Sequence, residues 1–130
     1  MSRIKAKFVD SETAPTGRIL RSIGGSQATW GTLFTRTATA VDYSVLITDY
    51  YIGVTDLTVS RTMTIPLASA CYNGQVFLFK DETGTCSGAK KIILLASGAD
   101  TIDGAANQDL TAKWISVGIV SDGVSQFFVI

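Results

Sequence analysis

The sequence predicts an all-β protein: a short-stranded antiparallel β-sandwich or β-prism-like body at residues 36–130, behind an extended N-terminal arm at residues 1–35. Two observations predict the body. Short apolar segments recur from about residue 36 onward, each bounded by Gly, Asp, Asn or Ser. Val, Ile, Thr, Tyr and Phe dominate them, and the punctuation recurs too often to leave room for a helix of about 10 residues. A third observation sets the arm apart, because its apolar pieces are too few and too widely spaced to close a core.

The arm holds two short extended pieces, "RIKAKFV" and "GRILRSI", separated by the turn-forming "DSETAPTG" and followed by "GGSQATWG". It reads as a segment laid over a neighbouring subunit or a larger assembly. The body segments are "YSVLITD" (43–49), "YYIGV" (50–54), "RTMTIPLA" (61–68), "QVFLFKD" (75–81), "KIILLA" (91–96), "KWISVGIVS" (113–121) and "QFFVI" (126–130). In "RTMTIPLA" the residues Met63, Ile65 and Leu67 share one face, which predicts a half-buried strand with Pro66 marking an edge. "VSDGVSQFF" is a hairpin signature, with Asp122-Gly123 between two apolar runs. The apolar end "FFVI" is expected to be tied into the sheet.

Three runs do not alternate: Val76, Phe77, Leu78 and Phe79; Ile92, Ile93, Leu94 and Leu95; and Phe127, Phe128 and Val129. Continuous apolar strands are covered on both faces. One sandwich of this size has a single inner layer, so these runs predict an obligate oligomer in which sister copies cover the outer faces. The competing explanation places one such strand between two sheets of the same chain.

Composition supports association. Hydrophobic residues make up 46% of the 130 and charged ones only 17%, little charge for a soluble monomer. Net charge is zero but uneven: residues 1–21 carry five basic and two acidic side chains, a net +3, leaving −3 for the rest. A basic arm suits an acidic neighbour. It does not suit nucleic acid, because aromatic platforms between the basic residues are missing. No apolar stretch follows the basic start and no run approaches a membrane helix, so neither a secretory signal nor a membrane partner is expected. Cys71 and Cys86 are too few for a disulfide framework; they read as small apolar filler or as one bridge between the ends of a strand.

Little in the sequence offers chemistry. Zero histidines remove the usual base near neutral pH, the Ser-His and Cys-His pairs and the commonest transition-metal ligand. Two cysteines cannot close a structural zinc site. Glycoside hydrolysis needs two carboxyls facing each other across about 5 to 9.5 Å. Asp81 and Glu82, being adjacent, point to opposite faces of a strand, while Asp100, Asp103 and Asp122 lie close to Gly, where Asp caps turns. "DTIDG" lacks the ligand ladder of a calcium loop, and "SIGGSQ" lacks the lysine and helix of a phosphate cradle. Neither catalytic residues, nor a metal, nor a cofactor is expected. Exposed aromatics remain as ligand contacts. Trp114 sits in an apolar run and reads as core, whereas Tyr72 and Asn73, in the loop "ACYNG", are the candidate ligand contacts.

Five stretches carry a resemblance: "YYIGV" at 50–54, "RTMTIP" at 61–66, "GQVFLFKDETG" at 74–84, "TIDG" at 101–104 and "SVGIVSDG" at 116–123. In order and spacing the body resembles a module of tailed-bacteriophage virion proteins, notably tail-fibre and head-fibre proteins, and "GRILRSIGGSQATWG" is similar to the linker of such fibres. The resemblance implies a homotrimer, a virion location after assembly in the host cytoplasm, and attachment to capsid or tail proteins through the arm, with Arg3, Lys5, Lys7, Phe8, Arg18, Ile19 and Leu20 as attachment residues. The short arm favours a stubby spike or capsid decoration over a long fibre. A receptor-binding tip that recognises host cell-surface glycan is the alternative. On this reading "KDETG" is a bend, with Lys80 and Asp81 or Glu82 pairing locally.

Overall fold

In the computed structural model, residues 34–130 are described throughout, and of the preceding residues only the backbone of 18–24 and 27–32. The chain divides into two units, Met1–Thr35 and Arg36–Ile130. In the first, strands β1 (Arg18–Gly24) and β2 (Gln27–Thr32) pair antiparallel, with a register shift between Ser22 and Gly24. The proposed attachment residues Arg3, Lys5, Lys7 and Phe8 lie outside the described residues. For Arg18, Ile19 and Leu20 the description stops at the backbone of β1.

The second unit is built from β3 (Arg36–Thr39), β4 (Tyr43–Ser44), β5 (Tyr51–Val54), β6 (Arg61–Thr64), β7 (Val76–Asp81), β8 (Ile92–Leu95), β9 (Thr101–Ile102), β10 (Asn107–Leu110), β11 (Ser116–Ser121) and β12 (Gln126–Val129). A 3-10 turn at Ala68–Ala70 is the helical element among the described residues. Two sheets form, a six-stranded one ordered β3-β5-β7-β11-β12-β9 and a four-stranded one ordered β10-β8-β6-β4. The expected two-sheet, β-rich body is present.

The pairing, however, is mixed rather than antiparallel. From β3 to β8 each successive strand changes sheet, so that β3, β5 and β7 stack in parallel on one side. On the other, β4, β6 and β8 do the same. Parallel neighbours need a crossover, and here a strand of the opposite sheet provides it, so the chain winds as a flattened coil. Only the later strands turn back: β11 pairs antiparallel with β7 and β12, and β10 antiparallel with β8. The Asp122-Gly123 hairpin forms as expected. The Ile130 N–H continues that pairing with a bond to the Gly118 carbonyl at 2.9 Å.

Between the sheets lies the core, including Ile52, Val54, Met63, Ile65, Phe77, Phe79, Ile92, Leu94, Ile102, Leu110, Ile119 and Phe127, each almost or wholly buried. The apolar runs expected to be covered on both faces instead alternate. β7 buries Phe77 and Phe79 and leaves Val76 and Leu78 half-buried. β8 buries Ile92 and Leu94, leaves Ile93 half-buried and exposes Leu95. β12 buries Phe127, half-buries Val129 and exposes Phe128. Within the described residues no third layer lies over either sheet, which removes the reading that one strand is sandwiched between sheets of its own chain.

Other expectations fail locally. "YSVLITD" is strand only at Tyr43–Ser44, because Asp49 gathers the Leu46 N–H, the Tyr43 hydroxyl and the Thr37 hydroxyl into a turn. β6 is flanked on both sides and ends at Thr64, so Pro66 marks no edge, and Leu67 is exposed. Strands β3, β9 and β10 lie in segments too polar to read as strands. Cys71 and Cys86 are free and buried, as filler rather than a bridge. Burial pushes both thiols up, the opposite of what a reactive thiolate requires.

Candidate functional site

Strand direction sorts the body's loops onto two ends. β3, β5 and β7 start together, so Arg36, where the chain joins the body, stands at the same end as loops 45–50, 65–75 and 122–125. We call this the near end. Loops 55–60, 82–91 and 111–115 stand at the far end, where β5 and β7 finish and β6, β8 and β11 begin.

The candidate ligand contacts Tyr72 and Asn73 are at the near end. Tyr72 is 85% exposed, as expected, and the Asn73 backbone packs against Gly123 of the β11–β12 hairpin. The loop is tied down by the Gly74 N–H to Ser121 carbonyl bond (2.7 Å), by the Tyr72 N–H bond to the Gln75 side chain, and by the Gln75 amide bond to the Ile47 carbonyl.

The far end is organised by Asp81. The two adjacent acids do face opposite ways, but neither pairs with Lys80. Asp81 is fully buried and accepts the N–H groups of Thr83, Gly84, Cys86 and Trp114 and the Thr83 hydroxyl, at 2.7 to 3.2 Å. Burial pushes its carboxyl up, but these hydrogen bonds outweigh burial and hold it below the usual carboxylate range. Glu82 turns to the outside, where it pairs with Arg36 and accepts the Tyr51 hydroxyl. Arg36 first, and then Tyr51, hold its carboxyl low against a smaller opposing effect of burial. Lys80 donates to the Trp114 carbonyl instead. Sequence reading missed these partners because Arg36 and Trp114 are distant along the chain.

Trp114 is the largest departure from expectation. It is 60% exposed rather than core, and its backbone is left-handed at φ 59°, a conformation that costs a non-glycine residue free energy and persists only when its surroundings impose it. Three contacts do so: the N–H to Asp81, the carbonyl from Lys80, and the indole laid against Gly84. At Gly84 any Cβ would collide with the indole. Gly84 lies between Thr83 and Thr85, and these two, with Thr55, Asp56, Leu57, Thr58 and Lys90, line an open concavity of about 290 Å³.

The remaining carboxylates tie loops. Asp122 accepts the N–H groups of Val124, Ser125 and Gln126, the expected turn cap. Asp100 and Asp103 instead reach the backbone of Ala68 and Val129 on other elements. Asp109 pairs with Lys91, and Asp56 with Arg61. Among the described residues no three His, Cys, Asp or Glu side chains gather as a metal site would require, and no helix is long and apolar enough to cross a membrane.

A different feature occupies the outward face of the six-stranded sheet. Strand register places Val76, Val120 and Phe128 in one row across it, and Leu78, Gly118 and Ile130 in the next. Phe128 and Ile130 are exposed and Val76, Leu78 and Val120 half-buried. Gly118 is the low point: a Cβ there would lie 2.9 Å from Ile130 Cγ1 and 3.0 Å from Leu78 Cδ2. Toward the far end the patch is followed by Lys80 and Glu82, and along the Leu78 row the next strands carry Tyr51 and then Arg36. Compared with known proteins, the chain matches no protein-family model and no curated protein.

Proposed function

We propose that this is a non-enzymatic structural protein of a tailed-bacteriophage virion, a homotrimeric short fibre, spike or capsid decoration held to the particle by residues 1–35. The observation that carries the reading is the apolar outward face formed by Val76, Leu78, Val120, Phe128 and Ile130. Five neighbouring aliphatic and aromatic side chains on one sheet face form a surface suited to association, since contiguous apolar patches on soluble proteins mark interaction sites. Sister copies burying this face would serve the role that the continuous apolar runs call for. The carboxylates support the non-enzymatic part: they bond backbone groups or basic side chains, as turn ties and ion pairs do, and Asp81 is buried beneath its own loop. The sequence resemblance supports the particle and the trimer, and the uneven charge supports docking of the arm on an acidic neighbour.

Light scattering on the full chain at micromolar concentration tests the association: three copies of the 13.8 kDa chain are expected, and a stable monomer would remove the proposal. Deleting residues 2–35 should leave a folded body that no longer enters particles. Incorporation of that truncated protein would contradict anchoring by the arm.

A further inference from the structure

We infer that the near end of the body is an apolar, acidic docking surface that seats on a particle protein whose own surface is apolar with lysine or arginine at its rim. This rests on the proposed virion role for the partner's identity, and it makes Tyr72 part of that seat rather than a receptor contact.

Charge is divided between the two ends of the body. β8 finishes and β9 and β10 begin at the near end, which adds residues 96–106 to the loops already placed there. Segments 45–50, 65–75, 96–106 and 122–125 contain no lysine or arginine and four acids, Asp49, Asp100, Asp103 and Asp122. The rest of residues 36–130 holds six basic residues against five acids, so the negative excess of the body belongs to the near end. The four carboxylates accept from neutral donors. Asp49 takes the Leu46 N–H and two hydroxyls, Asp100 the Ala68 N–H, Asp103 the Val129 N–H, and Asp122 three backbone N–H groups. Such bonds fix the carboxylates in place without cancelling their charge.

The same segments expose Leu46, Ile47, Leu67, Tyr72 and Val124, each by 46% or more. The far end also exposes Val59 and Trp114, but shares its loops with Lys90, Lys91 and Lys113. Near-end loops are braced against one another. The Gln75 amide donates to the Ile47 carbonyl and the Tyr72 N–H to the Gln75 side chain, while Gly123 packs on Asn73 and Gly98 lies beside Leu67. A braced surface loses little conformational freedom on docking. An apolar centre with a polar rim is the anatomy of a protein interface, and a rim of one sign selects a partner of the other. Two copies meeting through this end would set acid against acid, which argues for a different protein as the occupant.

The test is incorporation of the full-length chain into particles, with the solution mass of each variant measured first. Ile47→Lys and Val124→Lys should each enter particles at about a tenth of the wild-type level or less, at unchanged solution mass. Ile47→Glu and Val124→Glu, which remove the same apolar groups but keep the sign, should lose less, and Val59→Lys at the far end should enter normally. With p-benzoylphenylalanine placed at Tyr72 or at Trp114, irradiation of finished particles should join position 72, and not position 114, to a different virion protein. The inference is overturned if the near-end lysine variants enter like wild type, if the glutamate variants lose as much as the lysine ones, or if the near-end variants change the solution mass. A cross-link from position 72 only to another copy of this chain would also overturn it. Wild type present in particles with position 114 cross-linked instead would reverse the seat and leave the virion reading standing, whereas wild type absent from every particle would remove both.

Discussion

The two outward faces of the sandwich begin from similar strands and end differently. On the six-stranded sheet, rows across the strands read Val76, Val120, Phe128 and then Leu78, Gly118, Ile130. On the four-stranded sheet they read Ser44, Thr64, Leu95, Asn107 and then Thr62, Ile93, Asp109. Both faces contain apolar residues, but on the second each one has hydroxyl, amide or carboxylate neighbours on either side. Apolar content alone does not make an association surface; contiguity does. "VFLF" and "IILL" look equivalent in sequence. Their cross-strand neighbours make one a candidate interface and the other an ordinary solvated surface.

The contrast breaks most visibly in solution mass. Phe128→Asp combined with Leu78→Asp should convert the proposed trimer to a monomer of 13.8 kDa, while Leu95→Asp on the other face should leave the proposed trimer intact. Dissociation by Leu95→Asp alone, measured by light scattering, would reverse the assignment of the faces. Next in size is the difference between neighbours on one strand. Phe127→Ala should destabilise folding by about 3 to 5 kcal/mol, as expected for a fully buried aromatic, whereas Phe128→Ala should barely move the denaturation midpoint of a monomeric background.

Asp81→Asn should cost about 2 to 3 kcal/mol, because charge-assisted bonds to the far-end loops weaken together, and should make the Trp114 emission more solvent-like. The same carboxyl sets a pH limit. Its folded pKa is depressed below the unfolded value, so its contribution is complete above the ordinary Asp range. That contribution is lost as pH falls through the folded value. Urea titrations of wild type below about pH 4 should therefore show a steeper loss of stability than those of Asp81→Asn, which keeps the contributions of Asp56, Glu82, Asp109 and Asp122; parallel acid limbs would refute the role. The smallest effect belongs to the outer ion pair. Arg36→Ala, at an exposed site, should shift the melting temperature slightly and only at low salt, without changing the solution mass.

Much of the body was legible from residue types. β-branched and aromatic runs gave the strands at 51–54, 61–64, 76–81, 92–95, 116–121 and 126–129, and Asp-Gly gave the β11–β12 hairpin. Tyr72 could be read as exposed because it sits between Cys71 and Asn-Gly in a turn. Trp114 could not: it follows Lys113 and precedes "ISVGIV", and what keeps it outside is a bond to Asp81, 33 positions earlier. β3, β9 and β10 were invisible because their pairing partners, rather than their own composition, make them strands.

By itself the sequence determined the all-β character, the split between a basic arm and an acidic body, and the turns closed by Asp and Gly, since propensity and turn chemistry act over a few residues. The tertiary structure alone decided that strands alternate between sheets and stack in parallel, that Asp81 and Glu82 serve opposite sides, and which apolar run stays contiguous on an outer face. Those outcomes depend on which distant segments become neighbours, and no local period in the chain encodes them.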